Sequence, residues 1–235
     1  MIEGQGRPPA GGEQPLPQSP PKGLRPRPSA SLILIDRDWT TPRILVGRRG
    51  SGHAFMPDLY VFPGGRRDPR DFALPFSKDL SPAVLQKLQS GSSAPTSPAG
   101  ARALALAAAR ELHEETGLTL GRADTVAEQG ADLSSLRYIA RAITPPGAIR
   151  RFDNRFFATF IDEAGVDPGQ LRESDELNDF HWLDLDDLRA VKLPEIVFAV
   201  ADDLKISLES SRCLPFGSDV SVYISRNGQF LRNRL

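Results

Sequence analysis

The sequence predicts one mixed α/β domain, with helices packed on both faces of a central sheet. Short apolar runs bounded by turn residues are typical of strands, and longer stretches with helical periodicity interrupt them. The 235 residues, 40% of them hydrophobic, are enough for one well-filled core. With a formal net charge of -1, the chain offers no broad basic surface for nucleic acid.

The first 28 residues differ in composition from the rest of the chain. Residues 1–28 contain eight prolines and several glycines but almost no large apolar side chains. Such a segment cannot bury enough surface to offset the entropy that is lost on ordering. We therefore expect a disordered tail over 1–28 and a single folded domain over 29–235.

The folded region contains apolar runs of strand length. In chain order, the predicted strands are Ser31–Asp36, Arg43–Val46, Leu59–Phe62, Leu136–Ile143, Arg155–Ile161 and Asp179–Leu183. Near the C-terminus, Val220–Ser225 and Gln229–Leu231 flank Asn227-Gly228, a dipeptide that strongly favours a hairpin.

The clearest helix is predicted over Ala101–Thr116. This stretch is rich in Ala and Leu, which favour helix intrinsically. Leu104, Ala108 and Leu112 repeat every four residues and predict its buried side. Gly117 is expected to end the helix.

A second amphipathic helix is predicted over Pro194–Ser207. Residues 66–100 have the composition of an insertion, with a short helix over Ser81–Leu88 and a loop over Ser90–Gly100. Just before this insertion, a proline followed by two glycines at 63–65 predicts a type II turn.

Three glutamates near the end of the Ala101–Thr116 helix are the main functional signal. Glu111, Glu114 and Glu115 lie three and four residues apart, so their carboxylates share one face of the helix. Like charges at this spacing repel, and the negative end of the helix dipole disfavours them further. A hard divalent cation among the carboxylates would make the arrangement favourable; the alternative is a solvated acidic face. Arg110 can pair with Glu114 and orient it.

The segment around these glutamates resembles a known family signature. Arg110–Leu118 matches the REUXEEXGU half of the Nudix box, where U is aliphatic, at every fixed position. Phe62–Gly65 resembles the strand end and glycine turn that open this box. The chain is therefore identified as a member of the Nudix hydrolase family. This resemblance implies an α/β/α sandwich, here with a C-terminal hairpin extension, and a hydrolase that cleaves the pyrophosphate bond of a nucleoside diphosphate linked to another moiety.

The resemblance also implies roles for individual residues. Glu111, Glu114 and Glu115, with the backbone of Gly65, would hold one or more Mg²⁺ or Mn²⁺ ions. Glu114, Glu115 and Arg110 would take part in catalysis. A metal ion of this kind neutralises the pyrophosphate and lowers the pKa of a bound water.

The spacing before Arg110 departs from the family pattern. The family usually has a much shorter segment between the glycine and the Arg-Glu pair, whereas here the gap runs from Gly65 to Arg110. The first box glutamate would fall on Asp71 when counted forward and on Arg102 when counted back. Neither residue is glutamate, so the sequence assigns no role to that position.

Arginines near the glycines are candidates for phosphate binding. Arg48, Arg49, Arg66 and Arg67 flank the predicted turn, and a guanidinium binds phosphate well; the alternative is a set of solvated surface charges. Segment 45–65 and the insertion resemble the coenzyme A diphosphatase-like branch of the family. Coenzyme A or an acyl derivative is therefore a candidate substrate, while ADP-ribose, dinucleotides and other nucleotides stay open.

A late acidic cluster could supply the general base. Of Glu173, Asp175 and Glu176, we select Glu176, although each could be a solvated loop charge. His113 occupies a variable position of the box and is expected to be exposed. HExxH zinc-protease spacing would need a histidine where Gly117 stands.

Three aromatic residues near the glycines have two interpretations. Phe55, Tyr60 and Phe62 could stack on a nucleobase, but core packing is the expectation for those in a strand. The one cysteine, Cys213, is expected to be a small packed side chain, and it cannot form an intrachain disulfide.

The first residues of the sequence lack the apolar stretch of a signal peptide, and no apolar run has membrane-spanning length, so we expect a soluble, cytoplasmic protein. Its expected partner is a small-molecule nucleotide, with no membrane; the oligomeric state, a homodimer included, is left open. Two other classes also stay open. One is a Nudix-fold binding or regulatory module without turnover, and the other is an unrelated α/β protein with an acidic helix.

Overall fold

The computed structural model describes residues 24–50, 57–90, 96–226 and 229–235. Its strands are β1 Arg27–Asp36, β2 Arg43–Arg49, β3 Tyr60–Val61, β4 Gly64–Arg66, β5 Phe76–Lys78, β6 Ala131–Asp132, β7 Arg137–Ile143, β8 Phe152–Phe160, β9 Leu177–Asp184, β10 Ser221–Arg226 and β11 Gln229–Arg234. Its helices are α1 Pro82–Gln89, α2 Pro98–Thr116, α3 Ala123–Gln129, α4 Ile161–Ala164 and α5 Glu195–Ser210, with short 3-10 helices at Pro69–Phe72 and Pro168–Gln170. None of the helices in these ranges combines the length and apolar character needed to cross a membrane.

A mixed sheet of nine strands forms the centre of the domain. Its order is β11-β10-β7-β8-β1-β2-β3, with β4 also paired to β1 and β9 to β2. β1 runs parallel to β8 but antiparallel to β2 and β4. The prediction of a mixed α/β fold is therefore confirmed.

Alternation along β1 divides the core into two layers. Leu32 and Leu34 pack on the face that α2 covers, whereas Ile33 and Ile35 pack on the opposite face with α5. The helices contribute Leu104, Ala108 and Leu112 from α2 to the first layer, and Val200, Ala201 and Leu204 from α5 to the second. The predicted stripe of α2 is thus buried, and the sheet lies between two helical layers.

Helix α2 begins three residues earlier than predicted. The hydroxyl of Ser97 accepts a hydrogen bond from the backbone N–H of Gly100 over 3.1 Å, which caps a helix that begins at Pro98. The loop predicted over Ser90–Gly100 is therefore wrong at its C-terminal end, and its residues 91–95 lie outside the described residues.

The other predicted elements are present with shifted ends. β1 begins at Arg27, inside the predicted tail, because its first residues pair with the start of β8. α5 extends three residues beyond its predicted end. Gly117 ends α2 with a φ of 76°, as predicted. The C-terminal hairpin pairs β10 with β11, although Asn227-Gly228 lies outside the described residues, as do residues 1–23.

Cys213 is exposed, so the expectation of a packed side chain is wrong. The chain turns here with Leu214 at a φ of 44°, and the Leu214 side chain takes the buried position instead.

The glycines that follow Phe62 do not form the predicted type II turn. Gly64 belongs to β4 and lies opposite Ser31 of β1, with a φ of 155°. A Cβ on Gly64 would lie 2.5 Å from the backbone oxygen of Ala30. Glycine is therefore needed for the close approach of two strands rather than for a turn.

Gly64→Ala should lower the melting temperature more than Gly147→Ala. Both glycines have a positive φ, but nothing lies within 4 Å of a Cβ at Gly147. We expect the control to cost about 1 kcal/mol and Gly64→Ala at least about 2 kcal/mol more, because the clash involves backbone. Equal melting temperatures of the two variants would contradict this account.

Candidate active site

Strand β4 is attached directly to the C-terminal half of α2. The backbone N–H of Gly64 donates a hydrogen bond to Oε2 of Glu115 over 2.8 Å. Nη2 of Arg110 donates to the backbone oxygen of Arg66 over 3.1 Å. These two contacts bring the predicted glycines and the predicted helix face together.

Gly65 lies between these contacts, against Glu111. A Cβ on Gly65 would lie 2.4 Å from the carboxylate of Glu111, so a larger residue here would displace that side chain. Along the helix face, Glu115 is buried, Glu111 is half-buried and Glu114 is exposed. The three predicted carboxylates therefore share one region but not one environment.

Arg110 is the centre of an ion-pair network. Its Nε donates to Asp71 over 2.7 Å, and its Nη1 donates to both Glu111 and Glu114 over 2.9 Å. Glu114 also pairs with Arg70 over 2.9 Å. Burial alone would lower the pKa of Arg110, but Asp71 and Glu111 outweigh it and leave the pKa raised. Burial also raises the pKa of Glu111, although Arg110 opposes it.

Asp71 is the residue whose role the sequence left open. It is fully buried, and its Oδ2 accepts a hydrogen bond from the backbone N–H of Asp68 over 2.6 Å. This contact belongs to the capping box of the 3-10 helix Pro69–Phe72. Counting forward from Gly65 therefore finds the carboxylate that holds Arg110, near the start of the inserted segment 66–100.

Burial raises the pKa of Glu115 to about 8. The hydrogen bond from Gly64 opposes this rise, the charge of Glu111 adds to it, Arg49 opposes it and Glu176 adds a smaller contribution. A buried carboxylate that is repelled by two others is an expected place for a cation.

A cavity of about 460 Å³ opens on this cluster. Its lining includes Glu111, Glu115 and Glu176, together with Arg49 and Arg66. The rest of the lining is mostly apolar and comes from β3, β7, β8, the loop after β7 and the start of α5, together with Ser29 and Ser31 of β1 and the glycines of β4. The structure thus brings the late acidic residue Glu176 and two of the predicted arginines together with the box glutamates.

Arg48 does not line this cavity, and its predicted contact with phosphate stays a prediction. It lines a second, polar cavity of about 480 Å³ and lies 3.3 Å from Asp179. Arg49, the next residue of β2, lines both cavities. Glu173 and Asp175 also line the second cavity.

The aromatic candidates separate in the same way. Phe62 is buried and lines the first cavity. The hydroxyl of Tyr60 donates to Asp179 over 2.7 Å, which places it away from the glutamates. Phe55 lies outside the described residues.

Two other candidates lie on the surface of the domain. His113 is exposed, as predicted. The guanidinium of Arg67 lies over the ring of Phe72, 4.8 Å from its centre, and does not line the first cavity.

The residues present fit a divalent metal ion in their chemistry. Glu111, Glu114, Glu115 and the backbone of Gly65 offer oxygen ligands, which hard divalent cations prefer. Within the described ranges, no three acidic, His or Cys side chains already converge as a metal site. Arg110 pairs with both Glu111 and Glu114, so its cationic group lies beside these two carboxylates.

Comparisons with known proteins give one family. A family model described as the NUDIX domain matches residues 25–202. A NUDIX hydrolase from Alicyclobacillus acidocaldarius is similar with a TM-score of 0.55 and 24% identity, over 77% of this chain and 91% of that one. The NUDIX domain of Shewanella oneidensis NrtR, complexed with ADP ribose, has a TM-score of 0.49 and 12% identity, over 79% of this chain and 90% of that one. No curated protein matches.

The NUDIX model covers the sheet core, β4, α2 and the start of α5. The predictions of a Nudix fold and of a pyrophosphohydrolase enzyme are confirmed, whereas no comparison selects the coenzyme A diphosphatase-like branch. The chain belongs to the NUDIX domain family.

Proposed function

We propose that this protein hydrolyses the pyrophosphate bond of a nucleoside diphosphate linked to another moiety, in the cavity beside α2. The observation that carries the proposal is the attachment of β4 to α2. It puts Glu111 and Glu115 on the lining of a 460 Å³ cavity together with Glu176. A cavity of this size fits a nucleotide-sized ligand.

The proposed metal ligands are Glu111, Glu114, Glu115 and the backbone of Gly65, with Mg²⁺ or Mn²⁺ as the ion. When bound, the ion neutralises the pyrophosphate and lowers the pKa of a bound water. Arg110 positions Glu111 and Glu114 from the helix side, and its own position is set by the fully buried Asp71, so we assign Arg110 a positioning role.

The remaining roles follow from the lining of the cavity. Glu176 is the proposed general base, because it shares the cavity with Glu111 and Glu115 and its charge raises the pKa of both. Arg49 and Arg66 are proposed to bind phosphate oxygens, for which a guanidinium is well suited.

Within this reaction we propose coenzyme A or an acyl derivative as the substrate. Cleavage would give a 3′,5′-ADP product and a 4′-phosphopantetheine product. The resemblance of segment 45–65 and of the insertion to the coenzyme A diphosphatase-like branch supports this choice. Arg49, Arg66 and Arg150 all line the cavity, which supports recognition of a third phosphate.

Glu114→Gln and Glu115→Gln should each reduce turnover by orders of magnitude while the fold stays intact. Each variant keeps the shape of the side chain but removes a proposed metal ligand. Steady-state rates with saturating Mg²⁺ measure the loss, and circular dichroism checks the fold. Glu209→Gln, at an exposed position of α5, is the matched control. Near-normal turnover in both variants would refute the assignment.

Metal-free protein should lose stability as the pH rises, and Glu115→Gln should lose less. The pKa of Glu115 rises from an ordinary 4.5 to about 8 on folding, so its stabilising contribution is complete below pH 4.5 and is lost as the pH passes 8. Denaturant unfolding with a chelator at pH 5.5 and pH 8.5 measures this. Between these two pH values, the difference in unfolding free energy between the unsubstituted protein and Glu115→Gln should change by about a few kcal/mol, because a pKa shift on folding corresponds directly to a free-energy difference. If the unfolding free energies of the two proteins changed with pH in the same way, the claim that Glu115 is a buried carboxylate that ionises in this pH range would be contradicted.

Dephospho-coenzyme A should be a poorer substrate than coenzyme A. Loss of a charge-assisted contact to the 3′-phosphate should lower kcat/KM roughly tenfold or more. Initial rates on the two compounds, with products identified by mass spectrometry, measure the ratio. Arg66→Ala should reduce the ratio, whereas Arg122→Ala, at an exposed position before α3, should not. Equal rates on the two compounds would remove the argument for the third phosphate.

A further inference from the structure

The sheet face beneath α5 changes character along β1. Ile33 and Ile35 are fully buried in the layer that α5 covers. Ser31 and Ser29 precede them on the same face, because side chains alternate along a strand. Both serines line the 460 Å³ cavity instead of packing under α5. A strand built only for the core would carry apolar residues at these two positions.

Sheet register places Ser29 in a row of cavity-lining residues. Ser29 lies opposite Arg66 of β4 on one side and opposite Asn154 of β8 on the other. Asn154 in turn lies opposite Ala142 of β7. All four line the cavity. Since neighbouring strands are about 4.8 Å apart, the row extends roughly 10 Å from Arg66 to Asn154.

Hydrogen bonding in this row is incomplete. Nδ2 of Asn154 donates to Oγ of Ser31 over 3.0 Å, which leaves the amide oxygen and one N–H of Asn154 for another partner. Ser29 is only 4% exposed, yet its hydroxyl has no hydrogen-bond partner among the described residues. A buried hydroxyl without a partner is costly, and a polar group in the cavity would satisfy it.

We propose that Ser29, Ser31 and Asn154 form the subsite that binds the nucleobase of the substrate, on the sheet face next to the pyrophosphate site at Glu111 and Glu115. This inference rests on the proposed function and specifies how its substrate is recognised.

A nucleobase matches the chemistry of this subsite. The edge of every base offers both donors and acceptors, and the hydroxyls and amide of the three residues can satisfy both. Phe62, Phe152 and Phe156 line the same cavity and supply apolar contacts for a planar ring. Ser29 and Asn154 are uncharged, so a neutral group fits them better than a phosphate, which the arginines of the lining can take.

Binding of nucleotides without a pyrophosphate tests the subsite apart from turnover. Calorimetric titration of the full chain with Mg²⁺ would compare the 5′-monophosphates of adenosine, guanosine, cytidine and uridine with ribose 5-phosphate, which lacks the base. At least one nucleotide should bind more tightly than ribose 5-phosphate. Ser29→Ala should weaken the affinity for that nucleotide roughly fivefold to tenfold and leave the affinity for ribose 5-phosphate unchanged.

Asn154→Leu is the second variant, and it should also reduce the preference for the nucleotide over ribose 5-phosphate. Ser135→Ala is the matched control, because Ser135 is also buried but bonds to Thr159 away from the cavity. The subsite is refuted if no nucleotide binds more tightly than ribose 5-phosphate, if nucleotide affinity survives both variants, or if both ligands weaken equally. Selective loss of nucleotide binding supports the subsite even in a protein that shows no hydrolysis, so the two proposals fail separately.

Discussion

The ion pair between Asp71 and Arg110 is the interaction on which the geometry of the site depends. Asp71 is fully buried and Arg110 nearly so, and the same guanidinium also bonds to Glu111, Glu114 and the backbone of β4. Removing Arg110 would leave the fully buried Asp71 without this partner, and loss of one partner of a buried ion pair costs roughly 3–5 kcal/mol. The pair sets the position of the Arg110 guanidinium, which bonds to the backbone of β4; with the hydrogen bond from Gly64 to Glu115, this contact brings the glycines close to the glutamates.

This arrangement explains how the chain tolerates a long insertion inside the family signature. The capping box of Pro69–Phe72 fixes Asp71 near the start of the inserted segment 66–100, and Arg110 lies on a helix that the core holds independently. The inserted α1 packs on the core through Val84 and Leu88, and Arg102 of α2 pairs with Asp79 ahead of α1. Both ends of the insertion are anchored, so its length need not disturb the site.

The elements with a strong local signal could be predicted from the sequence, and those defined by tertiary contact could not. The apolar stripe and Gly117 predicted α2, and α2 carries three of the proposed metal ligands. Gly64–Arg66 has no strand propensity, and only its pairing with β1 makes it a strand. Asp71 was reached by counting but not assigned, because its burial beside Arg110 is not encoded locally. The sequence likewise could not tell which of Arg48 and Arg49 faces the glutamates, since a register shift of β2 against β9 lies just before them.

The two faces of the sheet have different roles in the proposed reaction. The face covered by α2 contributes the carboxylates, and they reach the cavity because the glycines of β4 leave no side chains in the way. The face covered by α5 contributes Ser29, Ser31 and Asn154, and the amide of Asn154 donates a hydrogen bond to Ser31. Because neighbouring residues of β1 alternate between these faces, substitutions at positions 29 and 31 can change what the cavity recognises without altering the core contacts of Ala30 and Leu32. The same catalytic residues can therefore serve different substrates, because the residues that recognise the substrate lie on the opposite face of the same strands.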